Sequence, residues 1–295
     1  MATTTSTAAP EEVALRRPAQ PLWSRVEHHL LPAFTILALG YLLIPIVVMI
    51  VFSFNNPVGK FNYAWNEFSL DGWMDPFGWP GLSDAVITTL TVAIVSTVIA
   101  TILGTMIGLA LTRHRFRGRG TLNGLIFLPM ATPEIVMGAS LLTLFVATAL
   151  PPVAGSVPLL YPTGFHTIVI AHIMFCISFV VVAIKARLAG YDRRLEEAAM
   201  DLGADELTTF WKVTFPLILP GIIAAALLAF SLSIDDFVVT NFVSGTSNTF
   251  PIWVYSIQRN ALPVQINVVG SMVFLGAVGL VLLSSVRSGG IPRLR

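Results

Sequence analysis

Six long apolar stretches leave few folds open to this chain. Residues 31–54, 85–111, 163–184, 217–234 and 268–286 contain no charged side chain, and 122–150 contains only Glu134. A membrane-crossing helix needs roughly 20 mostly apolar residues, and buried helices of soluble proteins rarely run this far without a charge. The expectation is an all-α polytopic membrane protein with six transmembrane helices. Only 11% of the 295 residues are charged, against about 25% in an ordinary soluble domain. Disorder needs low hydrophobicity and high net charge, so it is excluded. A net charge of +1 on so apolar a chain gives no phosphate-tracking face, which excludes a nucleic-acid partner.

The few charges sort by segment. Of 17 Lys and Arg, 15 fall in the N-terminal tail, the second and fourth connections and the C-terminal tail; only Lys60 and Arg259 fall elsewhere. Basic residues stay on the cytoplasmic side of short loops. Both termini are therefore expected inside, with residues 1–30 as a disordered tail, 31–54 as the first span, and 287–295 as a second tail. Only an even number of spans keeps this alternation. Glu67, Asp71, Asp75, Asp84, Asp235 and Asp236 sort to the outer face, which suits a mouth that favours cations. Acids, however, need not obey the inside rule. The alternating Arg113, Arg115, Arg117 and Arg119 read as a positive-inside anchor, or as a contact for anionic lipid or another subunit.

The fourth connection has helical organisation of its own. Asp192 can cap a helix in which Leu195, Ala198, Ala199 and Leu202 share one face, flanked by Glu196, Glu197 and Asp201. Gly203 can take positive φ at its end. Asp205 can cap a second short helix over 206–211, and Pro216 and Pro220 are expected to close the unit and begin the next span. This elbow, 192–215, is shaped for a groove on another protein. A helix lying on the lipid surface is the alternative, and the acids at 197, 201, 205 and 206 disfavour it on an anionic leaflet.

Enzyme chemistry finds no footing. None of Lys60, Lys185 and Lys212 has P-loop context, and neither a His-Glu-x-x-His site nor a nucleophile elbow is present. His166 and His172 read as structural or interfacial, and Cys176 as a small buried hydrophobe. Carboxylates within apolar sequence are the remaining candidates, since a charge at membrane depth is costly and faces a cavity or the bundle interior. Glu134 follows Pro129 and Pro133, which should break the helix there. A cytoplasmic-end contact for Glu134 stays open. Asp235 and Asp236 interrupt an apolar run that resumes at Phe237. If the fifth helix continues to 243, the two side chains point roughly 100° apart, one to a pathway and one to a neighbouring helix or subunit.

Glu197-Ala198-Ala199, three further residues and Gly203-Ala204 resemble the EAA motif of permease subunits of ABC importers. The Val213-Thr214-Phe215-Pro216 continuation is a mild departure from the motif's usual Ile-x-Leu-Pro. Residues 233–245, with Ser233-Ile234-Asp235-Asp236-Phe237-Val238 at their head, are similar to the corresponding stretch of spermidine/putrescine permeases, as are Phe250 to Ser256. The resemblance spans about 85–286. It implies a type I ABC importer transmembrane domain whose elbow residues Glu197, Ala198, Ala199, Gly203 and Ala204 seat in an ATPase subunit. The implied partners are a second permease subunit, two ATP-binding subunits that hold ATP-Mg, and an extracytoplasmic substrate-binding protein. The chain itself is then a transport subunit of the bacterial inner membrane, with no cofactor or metal of its own. A polyamine would find charge at Asp235, Asp236 and Glu134, and aromatic faces at Phe237, Trp253 and Tyr255. An ABC permease for another small cationic or organic solute shares most of these features. A secondary transporter would show inverted repeats, and none is evident.

Overall fold

The computed structural model describes residues 22–149 and 162–287, with side chains at 30–147 and 162–279. Most of the two predicted tails and of the third connection lies outside these residues. In chain order the helices are α1 (Leu22–Phe52), α2 (Asp71–Met74), α3 (Leu82–Arg113), α4 (Arg119–Ala131), α5 (Glu134–Ala149), α6 (Phe165–Ala189), α7 (Arg194–Asp201) and α8 (Glu206–Thr209). A π-helical turn, Phe210–Thr214, precedes α9 (Phe215–Ile234), α10 (Val238–Val243), α11 (Phe250–Ile257) and α12 (Val264–Arg287). Among the described residues there is no strand, only two isolated bridges, Asn55 with Phe68 and Phe61 with Leu262.

Each predicted span contains a helix. Four helices are long and apolar enough to cross a membrane, and the bent α4–α5 pair makes five; α12 is apolar over the shorter stretch Val264–Gly279. The third span is broken. Thr132 is extended (φ −80°, ψ 131°) because Pro133 crowds the α-region of the residue before it, and the chain turns by 107° between α4 and α5. Pro216 stands in the first turn of α9, as expected for the start of a span, but no break closes the elbow before it: α8, the π turn and α9 form one helical run, Glu206–Ile234. The π turn immediately before Pro216 closes on the bond from the Phe215 N–H to the Phe210 carbonyl, the wider i to i+5 spacing.

The centre of the bundle is α3 packed on α6, with α9 against both. Small residues set this approach. A Cβ on Gly104 would lie 2.6 Å from Val180 Cγ1, and one on Gly108 2.8 Å from Ile184 Cγ2, so the two glycines, four residues apart, let the backbones meet. Replacing Gly104 by leucine should therefore destabilise the detergent-solubilised protein by about 1–3 kcal/mol, the usual cost of overpacking. Gly120→Leu, where no atom stands within 4 Å, should leave thermal unfolding unchanged. α1 stands apart from this core. Its apolar window has no buried residue, and it reaches the body at α12, where Met49 packs over Gly270.

Candidate functional site

The breaks in two spans face each other. Pro129, Met130, Ala131, Thr132, Pro133 and Glu134 at the α4–α5 bend oppose Leu232, Asp235, Asp236, Phe237, Val238 and Val239 at the end of α9. Met137 of α5 and Phe175 and Phe179 of α6 complete the lining of a cavity of about 640 Å³. Glu134 and the adjacent pair Asp235 and Asp236, far apart in sequence, thus line one space. The fifth helix does not continue to 243: it stops at Ile234 and resumes at Val238. Irregular backbone of this kind is tolerated at membrane depth where it lines a cavity.

The two aspartates have different surroundings. Asp236 is nearly buried, its side chain 9% exposed, and its Oδ2 accepts the Thr240 backbone N–H (2.8 Å) and the Thr240 hydroxyl (2.6 Å). It thereby caps the first turn of α10. His172 Nε2 lies 2.9 Å from Thr240 Oγ1 and 3.5 Å from Asp236 Oδ2. Because the Thr240 hydroxyl donates to Asp236, His172 Nε2 carries the proton it shares with Thr240. His172 Nδ1 meets Ser233 Oγ at 2.6 Å, and Ser233 meets Ser96 Oγ at 3.1 Å. A buried chain of polar groups therefore runs from α3 through α9 and α6 to α10, ending on Asp236. Asp235 is exposed. It lines both the acidic cavity and an apolar groove among α1, α3, α11 and α12.

The aromatic candidates separate in the same way. Phe237 lines the cavity, and Tyr255 packs on it with ring centroids 4.8 Å apart. Trp253 lines neither space. It is buried against Leu82, Ala85 and Val269, and its Nε1 donates to the Pro80 carbonyl at 3.2 Å; it holds α11 to the start of α3. Sequence reasoning missed Thr240, Ser233 and Ser96, and gave His172 no specific role. The available signal was a histidine in a span with hydroxyl residues spaced through two others.

The elbow is built much as its caps suggest. Asp192 Oδ1 accepts the Arg194 N–H and Asp205 Oδ1 the Thr208 N–H, each at 3.0 Å. Gly203 has φ +90°. Its N–H bonds the Met200 carbonyl (2.9 Å), and the Ala204 N–H bonds the Ala199 carbonyl (3.1 Å), which is the Schellman arrangement that needs a left-handed residue. Glu197, Ala198 and Gly203 are exposed, and Ala199 and Ala204 partly so. Leu202 is 90% exposed, Leu207 70% and Trp211 60%. These are large apolar side chains left open on an otherwise polar elbow.

The family described as binding-protein-dependent transport system inner membrane component matches residues 100–289. The chain is 35% identical over 253 residues to the spermidine/putrescine transport system permease protein PotC of Haemophilus influenzae, covering 85% of this chain and 93% of that one. It is 39% identical over 250 residues to the putrescine transport system permease protein PotI of Escherichia coli (strain K12), covering 83% and 86%. Among solved structures, a bacterial alginate ABC transporter in complex with alginate pentasaccharide-bound periplasmic protein aligns with a TM-score of 0.64 over 92% of this chain and 98% of that one. At 17% identity, that likeness speaks to fold alone.

Proposed function

Because the chain belongs to the binding-protein-dependent transport family, the inner-membrane permease subunits of ABC importers, we propose that it forms half of an ATP-driven pathway for polyamines such as spermidine and putrescine. The observation that carries this reading is the cavity where Glu134, Asp235 and Asp236 meet beside Phe175, Phe179 and Phe237. An ammonium group leaving water needs opposite charge and hydrogen-bond acceptors. Carboxylates supply both, and aromatic faces accept the cation and cover its methylenes. In this division Asp235 and Glu134 meet the cation. Asp236, occupied by Thr240 and His172, fixes the break that presents Asp235.

The working assembly has a second permease subunit, two ATPases that bind ATP-Mg, and an extracytoplasmic binding protein. The chain crosses the membrane six times with both termini inside, as the distribution of basic residues favours. The exposed apolar surface of the elbow seats in an ATPase, and closure of the ATPases moves the elbow and switches the cavity between outward and inward access. Membrane vesicles bearing the full assembly and the loaded binding protein should accumulate labelled spermidine or putrescine only with ATP. Accumulation that is indifferent to ATP would remove the importer reading. ATP-driven uptake of a neutral or anionic solute in preference to polyamines would remove the substrate.

A further inference from the structure

Two glutamates stand side by side on the elbow, and the fold uses only one of them. Glu197 is exposed, whereas the Glu196 side chain is 16% exposed and pairs with Arg113, the last residue of α3. The Thr214 hydroxyl donates to the same Glu196 oxygen, and Arg113 Nη2 lies 3.4 Å from Thr214 Oγ1. Thr214 is fully buried and ends the π turn that leads into α9. Arg193 adds a contact from its Nη2 to the Thr112 carbonyl at 3.4 Å. Arg115 and Arg117 of the same basic run are exposed, so Arg113 differs from them in having an internal partner. Partial burial pushes the Glu196 carboxyl up, but hydrogen bonds from Thr214 and Tyr191, with the charge and hydrogen bond of Arg113, together hold the group below the ordinary carboxylate range.

We infer that the Arg113–Glu196–Thr214 cluster is the joint through which movement of the elbow reaches the membrane helices. Glu196 is then a positioning residue and Glu197 remains free for the ATPase. The joint fastens α7 at once to the end of α3 and to the start of α9. These two helices pack against each other and carry Ser96 and Ser233, whose hydroxyls meet 3.1 Å apart at the start of the polar chain that ends on Asp236. The inference rests on the reading of the elbow as an ATPase seat, and the two fail separately.

The test uses the assembled importer with Glu196→Gln, Arg113→Gln, and the exchanged pair Glu196→Arg/Arg113→Glu. Membrane abundance, co-purified ATPase subunit, ATP hydrolysis and uptake are measured for each. Each single substitution should cut uptake by about 10-fold or more, within the range of coupling between sites, with the ATPase subunit retained and hydrolysis no longer matched by uptake. The exchange should restore uptake to within about 3-fold of the wild type, an interaction effect that independent sites would not give. Undiminished uptake in the single variants, or an exchange no better than they are, would overturn the joint. Loss of the ATPase subunit from Glu196→Gln would overturn it too, by making Glu196 a docking contact. Glu197→Lys examines the seat itself: retention of the ATPase subunit there would sink the docking reading whatever the exchange shows.

Discussion

Gly203→Pro should abolish uptake, by at least about 100-fold, while leaving the chain inserted in the membrane. A factor of 100 needs only about 2.7 kcal/mol, and the substitution removes more than one support. Proline fixes φ near −65° and has no N–H, whereas Gly203 sits at φ +90° and donates to the Met200 carbonyl. The elbow would lose the reversal that sets α7 against α8. Nothing lies within 4 Å of a Cβ built at Gly203, so the damage comes from backbone conformation and not from a clash. Gly203→Ala separates the two effects: it keeps the N–H and faces only the left-handed penalty of about 1–2 kcal/mol, so uptake should fall much less. Membrane abundance, co-purified ATPase subunit and uptake check this together. Normal uptake by a correctly inserted Gly203→Pro protein would remove the elbow from the coupling path.

The aspartate pair should part in stability while both substitutions lose uptake. Asp235→Ala removes an exposed carboxylate that makes no side-chain hydrogen bond to another described residue. Thermal stability should hold while uptake falls by about 100-fold, because the charge pair is made only with the cation, and truncating one partner of a pair that becomes desolvated on binding costs about 2–5 kcal/mol. Asp236→Ala removes the acceptor for both the Thr240 N–H and hydroxyl, so it should lower stability by about 2 kcal/mol, at the upper end for a helix cap. Its loss of uptake should follow from the altered break. Unfolding of the detergent-solubilised protein, paired with uptake at several polyamine concentrations, distinguishes the two. Equal stability loss at both positions would contradict the division of labour.

Much of this was legible in the sequence because it is local. Apolar runs locate the helices, Pro133 locates the bend, and Asp192, Gly203 and Asp205 locate the turns of the elbow. In each case the cause lies within a few residues of the effect. Gly104 and Gly108 carried the signal for the tight α3–α6 contact in plain view. What could not be read was which distant groups meet. Nothing in Arg113 distinguishes it from Arg115 until α3 and α7 are brought together. Thr240, four residues on, could have been seen as a local partner for Asp236, but nothing in the adjacent pair shows that His172 of α6 also closes on Asp236 and not on Asp235. Trp253 shows the same limit: beside Tyr255 in sequence, it is buried in a different cluster because alternate faces of α11 look different ways.

The central claim is that the cavity between the two broken spans carries the polyamine. A photoreactive, labelled spermidine analogue, delivered to the assembled importer during ATP-driven turnover and mapped by peptide sequencing, addresses it directly. Label should concentrate at 129–134 and 232–239, compete away with unlabelled spermidine, and fall sharply in Asp235→Ala. Competable label confined to other segments, or labelling of this cavity that is indifferent to Asp235 and Glu134 substitution, would contradict the account.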